Sequence, residues 1–167
     1  RNSGKIFFME HKIIDTNEVV IRFTGDSGDG MQLTGTLFAD ASALYGNEIS
    51  TFPDYPAEIR APQGTVAGVS GFQVHIGQTE VKTPGDFCDV LVAMNPAALK
   101  ANAKWAKPGA SIILDEDSFD EKGLEKAGFK TNDPIEEMNL KDYHIVWAPI
   151  TSLTKESLKD SGLDNKS

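Results

Sequence analysis

An α/β fold on a mixed sheet is what this sequence predicts, and three stretches carry the expectation. Val19–Thr24 (VVIRFT) is a mostly apolar, β-branched run suited to a strand, and it enters a glycine loop followed by apolar residues at helical spacing. Phe72, Val74 and Ile76 alternate with Gln73 and His75, the two-residue period of a half-buried strand. From Asp89 onward, strand-like and helix-like runs take turns, punctuated by glycine and proline.

The elements follow in order. After Gly25-Asp26-Ser27-Gly28-Asp29-Gly30, the residues Leu33, Leu37, Phe38, Ala41, Leu44 and Tyr45 give a helix one apolar face, and Gly46-Asn47 stops it. Ile49–Phe52 suits a short strand broken by Pro53-Asp54-Tyr55-Pro56, and Ala57–Gly68 has no clean period and reads as an ordered surface loop. A strand returning from Ile76 through Gly77 and Gln78 to Val81 would form a hairpin, which is the source of the mixed sheet. Asp89–Met94 is a buried strand, Ala97–Trp105 a helix opened by Pro96, Pro108-Gly109 a turn, and Ser111–Leu114 another strand. Asp120–Ala127 is a short helix closed by Gly128, Tyr143–Trp147 a last strand, and Thr154–Lys159 the start of a last helix.

Residues 1–18 read as an extension, with Met9 a natural start, and 151–167 as the onset of a linker. Apolar residues are 40% of the chain and charged residues 25%, enough for an ordinary core and too apolar for wholesale disorder. A net charge of -9 repels phosphate backbones, so nucleic acid is excluded as a partner class. No apolar run reaches the ~20 residues of a spanning helix, so a membrane is not expected either. The one cysteine, Cys88, allows no internal disulfide and no Cys₄ cluster or zinc site in this chain, and fits a reducing cytoplasm.

Chemistry-bearing residues concentrate in two places. In the loop Gly25–Gly30, glycines allow a sharp turn, and the following helix would offer N–H groups to an anion. The order Gly-x-x-Gly-x-Gly departs from the dinucleotide fingerprint, and Asp26 and Asp29 would face any diphosphate with like charge. On these residues alone, a structural strand–helix turn and an anion site stand level. The Pro-rich loop holds Asp54, Glu58 and Arg60, read first as a local ion pair and second as a surface for substrate or partner. Asn95 and Asp115 end two strands at carboxyl ends, where open α/β sheets bind ligands. His11, His75 and His144 lack metal spacing, with His75 expected on an exposed or partner-facing side. Cys88, Trp105 and Trp147 read as packing residues.

Arg22–Gly35 (RFTGDSGDGMQLTG) resembles the N-terminal domain of 2-oxoacid:ferredoxin oxidoreductase alpha subunits. So do Thr51–Gly64 (TFPDYPAEIRAPQG), Val69–Ile76 (VSGFQVHI) and Thr83–Leu99 (TPGDFCDVLVAMNPAAL), in the same order along the chain. The Arg-Ala-Pro loop together with Asp-Ser-Gly-Asp-Gly is similar to the two-subunit enzymes that act on 2-oxoglutarate.

The resemblance implies a three-layer α/β/α sandwich with a mostly parallel, partly mixed sheet over residues 19–150, the gamma domain of the pyruvate:ferredoxin oxidoreductase family. It implies an enzyme that decarboxylates a 2-oxoacid on thiamine diphosphate and Mg2+, sends electrons through an iron–sulfur cluster to ferredoxin, and hands the acyl group to coenzyme A. The beta subunit would carry the thiamine diphosphate and the cluster. No such cofactor is implied for this chain, which would be inactive alone and would precede a thiamine-enzyme domain. Gly25, Asp26, Ser27, Gly28, Asp29, Gly30, Glu58, Arg60 and Asn95 are the positions the resemblance marks as facing coenzyme A, substrate or the beta subunit. A free-standing dinucleotide-dependent oxidoreductase, or a non-catalytic assembly domain, are the other readings the residues leave open.

Overall fold

The computed structural model describes residues 16–26, 48–54, 69–77 and 87–160. Six strands form one sheet: β1 (Glu18–Asp26), β2 (Glu48–Asp54), β3 (Val69–Gly77), β4 (Cys88–Ala93), β5 (Ala106–Asp115) and β6 (His144–Ala148). Their order across the sheet is β2-β3-β1-β4-β5-β6. The pairs β1–β4, β4–β5 and β5–β6 are parallel, and β3 runs antiparallel to both β1 and β2. The sheet is therefore mixed because β3 is inserted in reverse between two like-directed strands. The expected return strand at Gln78–Val81 lies outside the described residues, as do the helix at Leu33–Tyr45 and the loop at Ala57–Gly68.

Four helices follow β4: α1 (Pro96–Asn102), α2 (Glu121–Lys126), the single turn α3 (Pro134–Glu137) and α4 (Ile150–Asp160). Asn95, Asp120 and Asp133 open the first three with side-chain caps. Gly128 closes α2 at φ 77°, a left-handed position where glycine avoids a Cβ clash. One face of the sheet buries Leu91, Ala93, Ile112 and Leu114 with Ala98 and Leu99 of α1. The other buries Ile21, Phe23, Phe72, Val74 and Val92, with Ile150 of α4 packed against them. Helices thus cover both faces, as a three-layer α/β/α arrangement requires.

Three local expectations change. Pro53 sits within β2, opposite Phe72, because β2 is an edge strand of the described sheet, where the missing N–H is tolerated. Pro108-Gly109 is an irregularity inside β5: pairing with β4 jumps from Cys88↔Ala106 to Val90↔Ser111, and Gly109 takes φ 75°. The last helix starts at Ile150, four residues before the expected Thr154, because side chains from the end of β5 cap it there.

His75 is the clearest correction. It is 7% exposed and Gln73 4%, so β3 is buried on both faces. β3 is an interior strand, and α1 lies over the face that carries these polar residues. They are accommodated by partners. Gln73 Oε1 accepts from Arg22 Nη1 (3.1 Å), and Arg22 Nε donates to Asn102 Oδ1 (3.1 Å). The Arg22 guanidinium lies 5.4 Å from the Trp105 ring centroid, and His75 Nε2 is 3.1 Å from Glu18 Oε2.

Candidate functional site at the strand carboxyl ends

After β1 the chain's next strand is β2, on one side of β1, whereas after β4 it is β5, on the other side. β1 and β4 are parallel neighbours, so their carboxyl ends form a topological switch point, the crevice where open α/β sheets receive ligands. Inside the sheet, Thr24 Oγ1 donates to the Val92 carbonyl (2.9 Å), and the Met94 N–H donates to the Thr24 carbonyl (2.9 Å). These bonds carry the ladder to the rim. At the rim itself, Asn95 Nδ2 donates to Asp26 Oδ1 (3.1 Å) across the crevice. The same amide's oxygen accepts from the Ala98 N–H (2.8 Å), capping α1.

The neighbouring rim, at the ends of β5 and β6, is closed by its own residues. Asp115 is 0% exposed and accepts from Ser118 Oγ (3.1 Å), Thr151 Oγ1 (2.5 Å) and the Thr151 N–H (3.2 Å). Asp117 accepts from the Ser152 N–H (2.7 Å) and Ser152 Oγ (2.9 Å). The polar residue expected to meet a ligand at this strand end is instead consumed in starting α4.

Of the positions the resemblance marks, Gly25, Asp26 and Asn95 are described and lie at the switch point, where Asn95 and Asp26 are bonded; Asp54 ends β2 opposite Gly71, away from it. Ser27, Gly28, Asp29, Gly30, Glu58 and Arg60 lie outside the described residues. Sequence reasoning missed the Arg22–Gln73–Asn102–Trp105 cluster. Its signal was there: a lone charge in an apolar strand run demands buried partners.

A family model for pyruvate ferredoxin/flavodoxin oxidoreductase matches residues 20–166. The chain belongs to that family. It is 51% identical over 148 residues to 2-oxoglutarate oxidoreductase subunit KorA of Mycobacterium tuberculosis, covering 89% of this chain but 22% of that protein. Among solved structures it is similar to the 2-oxoglutarate:ferredoxin oxidoreductase from Magnetococcus marinus with 2-oxoglutarate, coenzyme A and succinyl-CoA bound. There the TM-score is 0.62 at 27% identity, over 85% of this chain and 22% of that one. The keto/oxoacid ferredoxin oxidoreductase gamma subunit from Geobacter sulfurreducens shares the fold, at TM-score 0.59 and 22% identity over 86% of this chain and 67% of that subunit. The gamma-type fold read from the resemblance is thereby established.

Among the described residues no group of histidine, cysteine and carboxylate side chains is gathered that could hold a metal ion. Cys88 is the one cysteine, it is buried, and its Sγ points a weak hydrogen bond at the Trp105 carbonyl (3.4 Å). Burial pushes its thiol up to about 11, against the pull of the Arg22 charge. At the switch point the described acid, Asp26, has the wrong sign for a diphosphate. Among the described residues no helix is long and apolar enough to cross a membrane.

Proposed function

We propose that this chain is the gamma-type portion of the alpha subunit of a 2-oxoglutarate:ferredoxin oxidoreductase, working in a reducing cytoplasm. The reaction is 2-oxoglutarate, coenzyme A and two oxidised ferredoxins going to succinyl-CoA, CO2, two reduced ferredoxins and a proton. Thiamine diphosphate with Mg2+, held in the beta subunit beside its iron–sulfur cluster, supplies the electron sink for decarboxylation. This chain's share is non-covalent: it helps bind coenzyme A, closes over the active site and contributes to assembly. The Gly25–Gly30 loop, with Glu58 and Arg60 on the Pro-rich loop, forms the surface it presents.

The observation that carries the reading is the 51% identity, extending over 89% of the chain, to a 2-oxoglutarate oxidoreductase subunit. The switch point between β1 and β4 lends it a place for a ligand's approach. The test uses the full-length subunit assembled with its beta partner, following coenzyme A-dependent reduction of a viologen dye. Turnover with 2-oxoglutarate should exceed that with pyruvate at least tenfold. Arg60→Ala should raise the KM for coenzyme A or lower kcat without lowering thermal stability. Preference for pyruvate would sink the substrate assignment, and an Arg60→Ala enzyme with unchanged constants would sink the role of the Pro-rich loop.

A further inference from the structure

Asn95 sits on β4's side of the switch point, Asp26 on β1's, and one side-chain bond joins them. We propose that Asn95 is a positioning residue: its amide holds Asp26, and with it the start of the Gly25–Gly30 loop, at a fixed place on the coenzyme A-facing rim. This rests on the proposed function, in which that rim meets coenzyme A.

The backbone around Asn95 is itself fixed. Its φ and ψ of -155° and 166° are extended, Pro96 follows with a locked φ, and the Ala98 N–H binds Oδ1. With Oδ1 held by α1, the amide plane is set, and Nδ2 is left pointing at Asp26 (3.1 Å). An amide does both jobs on separate atoms, accepting at one end and donating at the other, a span that a single hydroxyl oxygen lacks. Serine or aspartate would cap α1 as well, but neither would supply that N–H donor to a carboxylate. Beneath it, β1 is pinned to β4 by the Thr24 hydroxyl and the Met94 N–H, so the pair is the last rung of a fixed ladder.

The experiment uses the assembled enzyme with three changes: Asn95→Ser, which keeps the cap and drops the donor; Asn95→Asp, which keeps the cap and sets a second carboxylate against Asp26; and the exchange Asp26→Asn with Asn95→Asp. KM for coenzyme A, kcat and melting temperature are read for each. Asn95→Ser should leave melting temperature and kcat near wild type and raise the KM for coenzyme A roughly threefold, and Asn95→Asp should raise it roughly tenfold, the scale of one charge-assisted hydrogen bond. The exchange restores an amide–carboxylate bond and should bring the KM back to within about twofold of wild type. Failure of the exchange to rescue would make Asn95 a direct ligand contact and overturn the positioning role. So would Asn95→Ser lowering melting temperature and kcat with KM unchanged, the behaviour of a helix cap alone. If Asn95 variants leave KM unmoved while Arg60→Ala raises it, only the latch falls; if neither moves it, the coenzyme A-facing reading falls with it.

Discussion

Two aspartates end parallel strands of the same sheet and meet opposite fates. Asp115 closes β5 in full burial, with hydroxyls and an N–H from Ser118 and Thr151 turned onto it. Asp26 ends β1 exposed, held by an amide from across the crevice. The difference lies in where the chain goes next. β5 and β6 are adjacent, so the turn after β5 and the helix after β6 converge over one rim and consume the acid. β1 and β4 send the chain to opposite sides, so no described element closes over theirs. Residue type and place within a strand do not distinguish a carboxylate buried by its own chain from one left exposed at the rim; strand order does.

The sharpest way to break this comparison is Asp115→Ala. It strips the partner from a buried N–H and two hydroxyls at once, and should cost about 3 kcal/mol, more than a typical surface change by several fold. Denaturant unfolding measures it directly. A loss under about 1 kcal/mol would mean that water replaces the carboxylate and that this rim is open too.

The first strand, the β4–β5–β6 series and the helices α1 and α2 were legible because each depends on local signals: β-branched runs, a Pro-opened helix, a glycine at positive φ. What was not legible depended on neighbours far away in sequence. The alternation in Val69–Gly77 says that two faces differ, and an exposed polar face is the ordinary outcome. Here α1 covers that face, so Gln73 and His75 turn inward to Arg22 and Glu18, partners from a strand ~50 residues earlier. Pro108-Gly109 reads as a turn in any window of sequence, yet β4 pairs on both sides of it, Cys88 with Ala106 and Val90 with Ser111, and holds it as a bulge. The rim was half legible: Asn95 and Asp115 both stood out as strand-end polar residues, but Thr151, which decides Asp115's role, lies 36 residues from it, and Ser152 lies 35 residues from the Asp117 it binds.

A second comparison separates the rim of β4 from its foot. Asn95 meets the crevice, whereas Cys88, at the other end, is 0% exposed. Burial raises the folded thiol to about 11, above its unfolded value, so its stabilising contribution is complete below pH ~9 and is lost as pH climbs toward 11. At pH 10 the loss should be about 1.5 kcal/mol relative to pH 7. Comparing the alkaline slopes of wild type and Cys88→Ala isolates this term from other groups. Native Cys88 should also resist a thiol reagent at pH 8 until denaturant is added; fast native labelling would show that the foot is open.

The smallest expected effect is also the most telling one. Asp26→Asn keeps the shape of the side chain and removes its charge, and Asn95 Nδ2 can still donate to the new carbonyl oxygen. An exposed hydrogen bond weakened in this way should shift stability by less than about 0.5 kcal/mol. The matched change Asp115→Asn replaces an acceptor by a donor in a fully buried setting. One of the three donors around it then faces an N–H₂, and the cost should be about 2 kcal/mol. The pair therefore predicts a ratio and not merely two numbers: near-isosteric substitutions at equivalent strand ends should differ in cost about fourfold or more. Urea midpoints at constant slope measure both. If Asp26→Asn proves as costly as Asp115→Asn, the β1 carboxylate is buried by residues beyond those described, and the switch point is a closed end like its neighbour. If the ratio holds, the charge at Asp26 is kept for something other than folding, which is what a ligand-facing rim requires.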